Sequence, residues 1–135
     1  MALTAGRNTT EVVDGKYLIL PVKANTRIYE GSLVAIDSTG YAIPGKKEEN
    51  LLVAGRAEEF VDNTGSGNSN GAKKIKVKRG VFKWNNDSTN AVTEQDILKT
   101  CYILDDSTVT TLSTATSIAG KVIGIENNQV LVEMK

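Results

Sequence analysis

The chain has 135 residues and a formal net charge of zero, from 16 basic and 16 acidic side chains, with no histidine, one cysteine and two prolines. The length fits one domain, and the lone Cys101 has no partner for an internal disulfide, so packing must hold the fold. Without histidine there is no Ser–His–Asp or Cys–His pair and no His-ligated zinc or haem, and the neutral balance argues against a dedicated nucleic-acid binder.

No apolar run approaches the ~18–20 residues of a membrane span, and the polar start lacks the apolar stretch of a signal peptide. The expectation is a protein made in a cytoplasm, with no membrane partner and no cofactor. Val, Ile and Thr supply 37 of the 135 residues. Such β-branched side chains suit pleated surfaces, so an all-β domain is expected.

Residues 1–14 are small and polar and show no period. They read either as a disordered terminus or as an arm that orders against a partner, with Asp14-Gly15 as a turn. Residues 15–135 read as a single β-rich domain. Residues 16–24 form the first strand. Their apolar side chains fall on both faces, which predicts a central or doubly covered position, with a bulge or edge segment at Pro21. Residues 27–30 and 32–37 are the next strands. A loop at Ser38-Thr39-Gly40 and a return over residues 41–43 make a hairpin.

Residues 51–61 begin a long hairpin, with a bulge expected at Gly55. The Gly/Ser/Asn-rich stretch 62–72 reads as its mobile tip. Residues 73–84 return, with Ile75 and Val77 alternating against Lys74, Lys76 and Lys78. Continued strictly, that period places Phe82 and Trp84 on the lysine face, where they would fill an interface. A bulge at Gly80 would instead flip the register and return both aromatics to the core, and this is the favoured reading. Residues 85–90 read as a loop. Thr93 and Asp96 then frame one short helical turn, with Ile97-Leu98 as its buried pair. Two hairpins follow, over residues 101–112 and 119–134. The total is about eight to ten short strands, the spacing of a small barrel or sandwich.

The chemistry-bearing candidates are few. Glu48-Glu49, Glu58-Glu59 and Asp105-Asp106 are adjacent pairs. Neighbours on a strand face opposite ways, so Glu58 and Glu59 alone do not form the facing carboxyls of a hydrolase, and Asp105-Asp106 sits where a hairpin turn wants Asp, so all three pairs read as structural. The glycine-rich stretch lacks the Lys-Ser/Thr ending of a phosphate loop, and stretch 62–70 lacks the acidic spacing of a calcium loop. Cys101 reads as a core thiol. The basic strand 73–83 reads either as a solvated strand face with edge lysines or, with Phe82 and Trp84 as stacking platforms, as a surface for single-stranded nucleic acid. No catalytic, cofactor or metal residues are assigned.

An ordered set of motifs adds a resemblance. Met1-Ala-Leu-Thr-Ala-Gly-Arg-Asn-Thr9, Leu20-Pro-Val22, Arg27-Ile-Tyr-Glu-Gly-Ser-Leu-Val-Ala-Ile-Asp37 and Gly40-Tyr-Ala-Ile-Pro-Gly45 are the first. Gly55-Arg-Ala-Glu-Glu-Phe-Val-Asp-Asn63, Val77-Lys-Arg-Gly-Val-Phe-Lys-Trp84, Tyr102-Ile-Leu-Asp-Asp106 and Ala119-Gly-Lys-Val-Ile-Gly-Ile125 complete it. Together they resemble the small head decoration, or capsid cement, proteins of tailed bacteriophages and prophages. The resemblance implies a non-enzymatic β-barrel or tulip-like domain on the outer surface of an assembled capsid. It implies trimers at local three-fold positions, the major capsid protein as partner, and a virion location. A polar arm could then add a strand to a capsid-protein edge. Leu3, Thr4, Arg7, Asn8, Thr9 and Thr10 are its contact candidates, and Phe82 and Trp84 are the candidates for the interface between copies.

Overall fold

The computed structural model describes residues 1–10 and 15–135 and is all-β. Twelve strands are described: β1 (Tyr17–Pro21), β2 (Thr26–Ile28), β3 (Leu33–Ile36), β4 (Ala42–Pro44), β5 (Leu52–Ala57), β6 (Val61–Asn63), β7 (Lys74–Lys78), β8 (Gly80–Asn86), β9 (Thr100–Ile103), β10 (Thr108–Thr110), β11 (Ile118–Glu126) and β12 (Gln129–Met134). This is somewhat more than eight to ten, because two expected long strands are each divided.

The strands make two main units. Five form a sheet in the order β1-β7-β5-β3-β4, and five close into a barrel in the order β10-β8-β12-β11-β9. The remaining two, β2 and β6, pair with each other. The barrel closes through β8 and β10, which run parallel, with Thr108 opposite Asn85 and Val109 opposite Asn86. Parallel pairs are slightly weaker per residue, and side chains reinforce this one. The Thr110 hydroxyl donates to the Asp87 carboxylate at 2.8 Å, and the Asn86 amide exchanges two 2.8 Å bonds with the backbone of Val92.

Two apolar clusters result. The barrel interior holds Trp84, Cys101, Ile103, Val109, Val122, Val130, Val132 and Met134, and the sheet contributes Leu33 and Ala35 to it. A second cluster under the other face of the sheet gathers Val22, Ile28, Val34, Ala54, Ile75 and Val77. Strand β3 therefore buries consecutive residues in opposite directions, which is why Leu33-Val34-Ala35 is apolar without alternation. Where β1 ends, Val22 bridges to Ala42 of β4, so the sheet curls around this second cluster.

Several local expectations hold. β3 and β4 form the expected hairpin, as do β9 with β10 and β11 with β12. Asn127 and Asn128 make the last turn at φ values of 51° and 59°, a region that Asn tolerates. The register of β3 on β5 shifts beside Gly55. A single 3-10 turn, Glu94–Asp96, starts at Thr93, whose N–H donates to the Asp96 carboxylate at 2.9 Å.

Four expectations are corrected. β1 is an edge strand, not a central one, and its apolar Ile19 is 61% exposed. The long hairpin does not form: β5 meets β7 at only two residue pairs, and β6 pairs with β2. Stretch 62–72 is tied back to the chain between β1 and β2 and is not a free tip. The buried Asn63 amide donates to the carbonyls of Val22, Lys23 and Ser69, Asn70 accepts from the N–H of Ala24, and Gly71 donates to Val22. Ile97-Leu98 is not a buried pair. Leu98 is 68% exposed at φ 71°, because its N–H is turned inward to the Val122 carbonyl at 2.7 Å.

The expected flip at Gly80 is present and larger than a bulge. The strand leaves the sheet as β7 and enters the barrel as β8, with Gly80 at φ 156°. Buried positions are odd-numbered before it (Ile75, Val77) and even-numbered after it (Phe82 half-buried, Trp84 buried). Across the junction, Gly55 sits at φ 147° so close to β7 that a Cβ there would lie 2.2 Å from the Lys78 carbonyl oxygen. Gly55→Ala is accordingly expected to destabilise by about 1–3 kcal/mol or more, through strain and overpacking. Gly124→Ala, where a Cβ meets nothing within 4 Å, should stay within about 0.5 kcal/mol. Urea denaturation of the two variants measures the difference.

Candidate interaction surfaces

The ionisable groups form no reactive constellation among the described residues, and no group of three or more Cys, Asp or Glu side chains there could hold a metal ion. One acid of each adjacent pair has a structural partner. Glu48 faces Lys46 at 3.3 Å, Glu58 accepts from Arg56 at 2.9 Å, and Asp105 accepts the N–H and hydroxyl of Ser107. Cys101 lies in the barrel core, where burial pushes its thiol up to about 12. The expected core thiol is therefore found.

Three carboxylates are shifted, each by bonds that brace loops. Burial pushes Asp37 upward, but hydrogen bonds from Lys23, from the hydroxyl and N–H of Thr39, and from the N–H of Tyr41 outweigh it and hold the group at about 2. Asp62 is held at about 2 chiefly by the hydroxyl and N–H of Thr64, with help from Arg27. Asp87 is lowered by the N–H of Thr89 and the hydroxyl of Thr110.

The candidate contact residues of the arm are on the surface. Leu3, Thr4, Arg7, Asn8, Thr9 and Thr10 are all exposed, as is every described residue before position 11. The backbone bond described there is internal, from the Thr9 N–H to the Arg7 carbonyl at 3.1 Å. The rest of the expected arm, residues 11–14 with the Asp14 turn, lies outside the described residues.

The two aromatic candidates lie elsewhere than an interface requires. Trp84 is 4% exposed inside the barrel, so its assignment to an interface between copies is corrected: the register flip at Gly80 turns it inward. Phe82 is half-buried and packs edge-on against Trp84, with centroids 6.3 Å apart, while the Arg56 guanidinium covers its ring at 4.5 Å. The lysines of β7 stay in the sheet, so lysines and aromatics do not assemble into one stacking surface.

Pairing also creates features that chain order hides. Tyr29 and Phe60 are exposed, and their rings lie 5.3 Å apart because β2 pairs with β6 and sets Ile28 opposite Val61. No local signal marks this pair, since its members are far apart in the chain. A groove of about 550 Å³ runs between sheet and barrel, with Leu52, Val53, Tyr102 and Ile118 on its walls and Arg79 and Lys135 beside it.

Comparison with protein-family models, with curated proteins and with solved structures finds no match.

The aspartate bonds carry a sign that solution work can read. A carboxylate depressed below its ordinary 3.8 adds stability above that value and loses it as pH falls through the folded value of about 2. The thermal midpoint should thus be level above about pH 5 and fall steeply between about pH 4 and 2. Asp37→Asn should lower the neutral-pH midpoint by roughly 3–6 °C and flatten the acid slope. Calorimetry across that range checks both.

Proposed function

We propose that this chain is a capsid decoration protein, a structural and non-enzymatic component of a virion made in a bacterial cytoplasm. It would bind the outer surface of an assembled phage capsid, as trimers at local three-fold positions, and clamp neighbouring subunits of the major capsid protein. The observation that carries the reading is the exposed, polar segment 1–10, with no strand or helix of its own, placed ahead of an all-β body. The ordered motif resemblance along the chain supports it.

A segment of this kind, in neither strand nor helix, leaves most of its backbone groups free to pair with a partner. Laying it on the edge of a capsid-protein sheet replaces bonds to water with ladder hydrogen bonds, while Leu3 supplies an apolar anchor and Arg7 a charged one. Each such contact is weak. Many copies on one shell resist internal pressure together, since the release of one arm leaves its neighbours bound. The alternative, a nucleic-acid interface built from the β7 lysines with Phe82 and Trp84, has less support, because Trp84 is inside the barrel and Phe82 lies beneath Arg56.

Purified protein mixed with expanded capsids that lack it should sediment with the shells. Protein without residues 1–10 should keep its circular dichroism spectrum and thermal midpoint but stay in the supernatant. Failure of the full chain to sediment would overturn the decoration reading. Equal binding by the truncated chain would overturn the arm mechanism while leaving the reading in place.

A further inference from the structure

We propose that the shared outer face of β1 and β7 recognises an extended protein segment with carboxylates at alternate positions. This goes beyond the decoration reading and does not depend on it, because it concerns the chemistry of a partner in solution.

The face has an unusual distribution of side chains. Edge strands are ordinarily protected by lysines. Here the edge strand β1 exposes Tyr17 and Ile19, at 40% and 61%, and the lysines sit one strand further in, on β7. Edge protection therefore does not explain Lys74, Lys76 and Lys78. The register sets Tyr17 beside Lys78, Ile19 beside Lys76 and Pro21 beside Lys74. Residues directly opposite in an antiparallel pair share a face, so an apolar row and a cationic row run side by side.

Two of the three ammonium groups also lean toward the edge. Lys76 Nζ lies 4.4 Å from the centre of the Tyr17 ring, and Lys78 Nζ lies 5.7 Å from it. None of the three lysines makes an ion pair among the described residues, since the nearest acid in register, Glu58 opposite Lys76, is bonded to Arg56, whereas Lys23, Arg27, Lys46, Arg56 and Lys83 are each paired. Alternate residues of a strand are about 6.8 Å apart, so three like charges repel along the row. An occupant with the same two-residue repeat of negative charge would relieve that repulsion at every step.

Beyond the single bridge from Val22 to Ala42 just past its end, the far side of β1 pairs with no other strand among the described residues, and Tyr17–Leu20 are open there. A segment added there would direct every second side chain to the face where Tyr17, Ile19 and the lysine heads meet. Carboxylates at those positions meet the ammonium groups, and their stems cover the exposed tyrosine and isoleucine. A nucleic acid fits less well. Tyr17 is the one aromatic on this face, its ring is already occupied by Lys76, and a run of bases needs a series of platforms.

The test is a titration of isotope-labelled full-length protein, followed by amide NMR, with two probes. One is a capped peptide alternating glutamate with threonine and valine, and the other is an oligothymidylate of similar charge. The peptide should shift the amides of residues 17–21 and 74–78, with affinity falling as salt rises. The variant with Lys74→Gln, Lys76→Gln and Lys78→Gln should bind it about tenfold more weakly. Replacing Lys47, Lys99 and Lys121 by Gln, which alters charge equally elsewhere, should leave affinity unchanged. The proposal is overturned by an absence of peptide shifts, by equal losses in both variants, or by tighter binding of oligothymidylate on the same strands. These outcomes are separate from capsid sedimentation, so either idea can fail alone.

Discussion

The passage of one strand from sheet to barrel at Arg79-Gly80 is the constraint on which the rest of this structure depends. Before it, odd-numbered side chains enter the core, and after it the even-numbered ones do. A strand cannot change its buried face without a backbone that departs from regular pleating. Gly80 supplies that departure at φ 156°. The change leaves the lysines of β7 in solvent and puts Trp84 at the centre of the barrel. It is also braced on three sides. Gly55 allows β5 to approach the Lys78 carbonyl, the Arg79 N–H donates to the Lys16 carbonyl at 2.7 Å, and Arg56 reaches across to cover Phe82. Two apolar clusters are thereby joined through one continuous run of chain.

That junction decides how loops must be treated. The sheet and the barrel each leave long connections, and a small all-β domain has no helices to cover them. Asp37, Asp62 and Asp87 take over that work by accepting several local donors each, and Asn63 and Asn86 do the same with their amides. These side chains are near-ideal for the purpose because they are short and bond their own backbone neighbourhood. The low pKa of the acids is a consequence of this bracing. The composition, rich in Asn, Asp and Thr, therefore describes a set of fixed turns more than a set of flexible ones.

What could be read from the chain follows the range of the interactions. Hairpins β3–β4, β9–β10 and β11–β12 were legible because each is set by a few adjacent residues, such as Asn127-Asn128. So were the Thr93–Asp96 box and the irregularities at Gly55 and Gly80. The choice of distant partners was not legible. Nothing within residues 61–63 indicates that they pair with residues 26–28 in place of the nearby return strand. The edge position of β1 is equally hidden, since Tyr-Leu-Ile-Leu has the apolar density of a central strand. Exposure of Ile97 and Leu98 comes from one long-range bond to Val122. For the candidate surfaces, the arm was visible as a composition and Trp84 as a question of parity. Its answer required knowing that the flip at Gly80 coincides with a change of sheet. The Tyr29–Phe60 pair left no trace in local sequence at all.

The division between a braced body and an exposed segment bears on function more directly than any single residue. A binding segment held against its own domain must first be released, and that cost weakens attachment. Residues 1–10 are all exposed and the backbone bond described there, Thr9 to Arg7, is internal, so on the proposed reading a partner's sheet edge would not compete with hydrogen bonds to the chain's own body. Ordering such a segment has an entropic cost of its own, which limits the strength of each attachment. If the chain is the decoration protein proposed above, weak single contacts would suit a component present in many copies, where collective occupancy supplies the strength and each copy could still find its place during assembly. On that reading the body would have to stay folded whether or not the segment is engaged. A closed barrel without edges, locked to a sheet through Gly55, Arg56 and Gly80, meets that requirement without help from the arm.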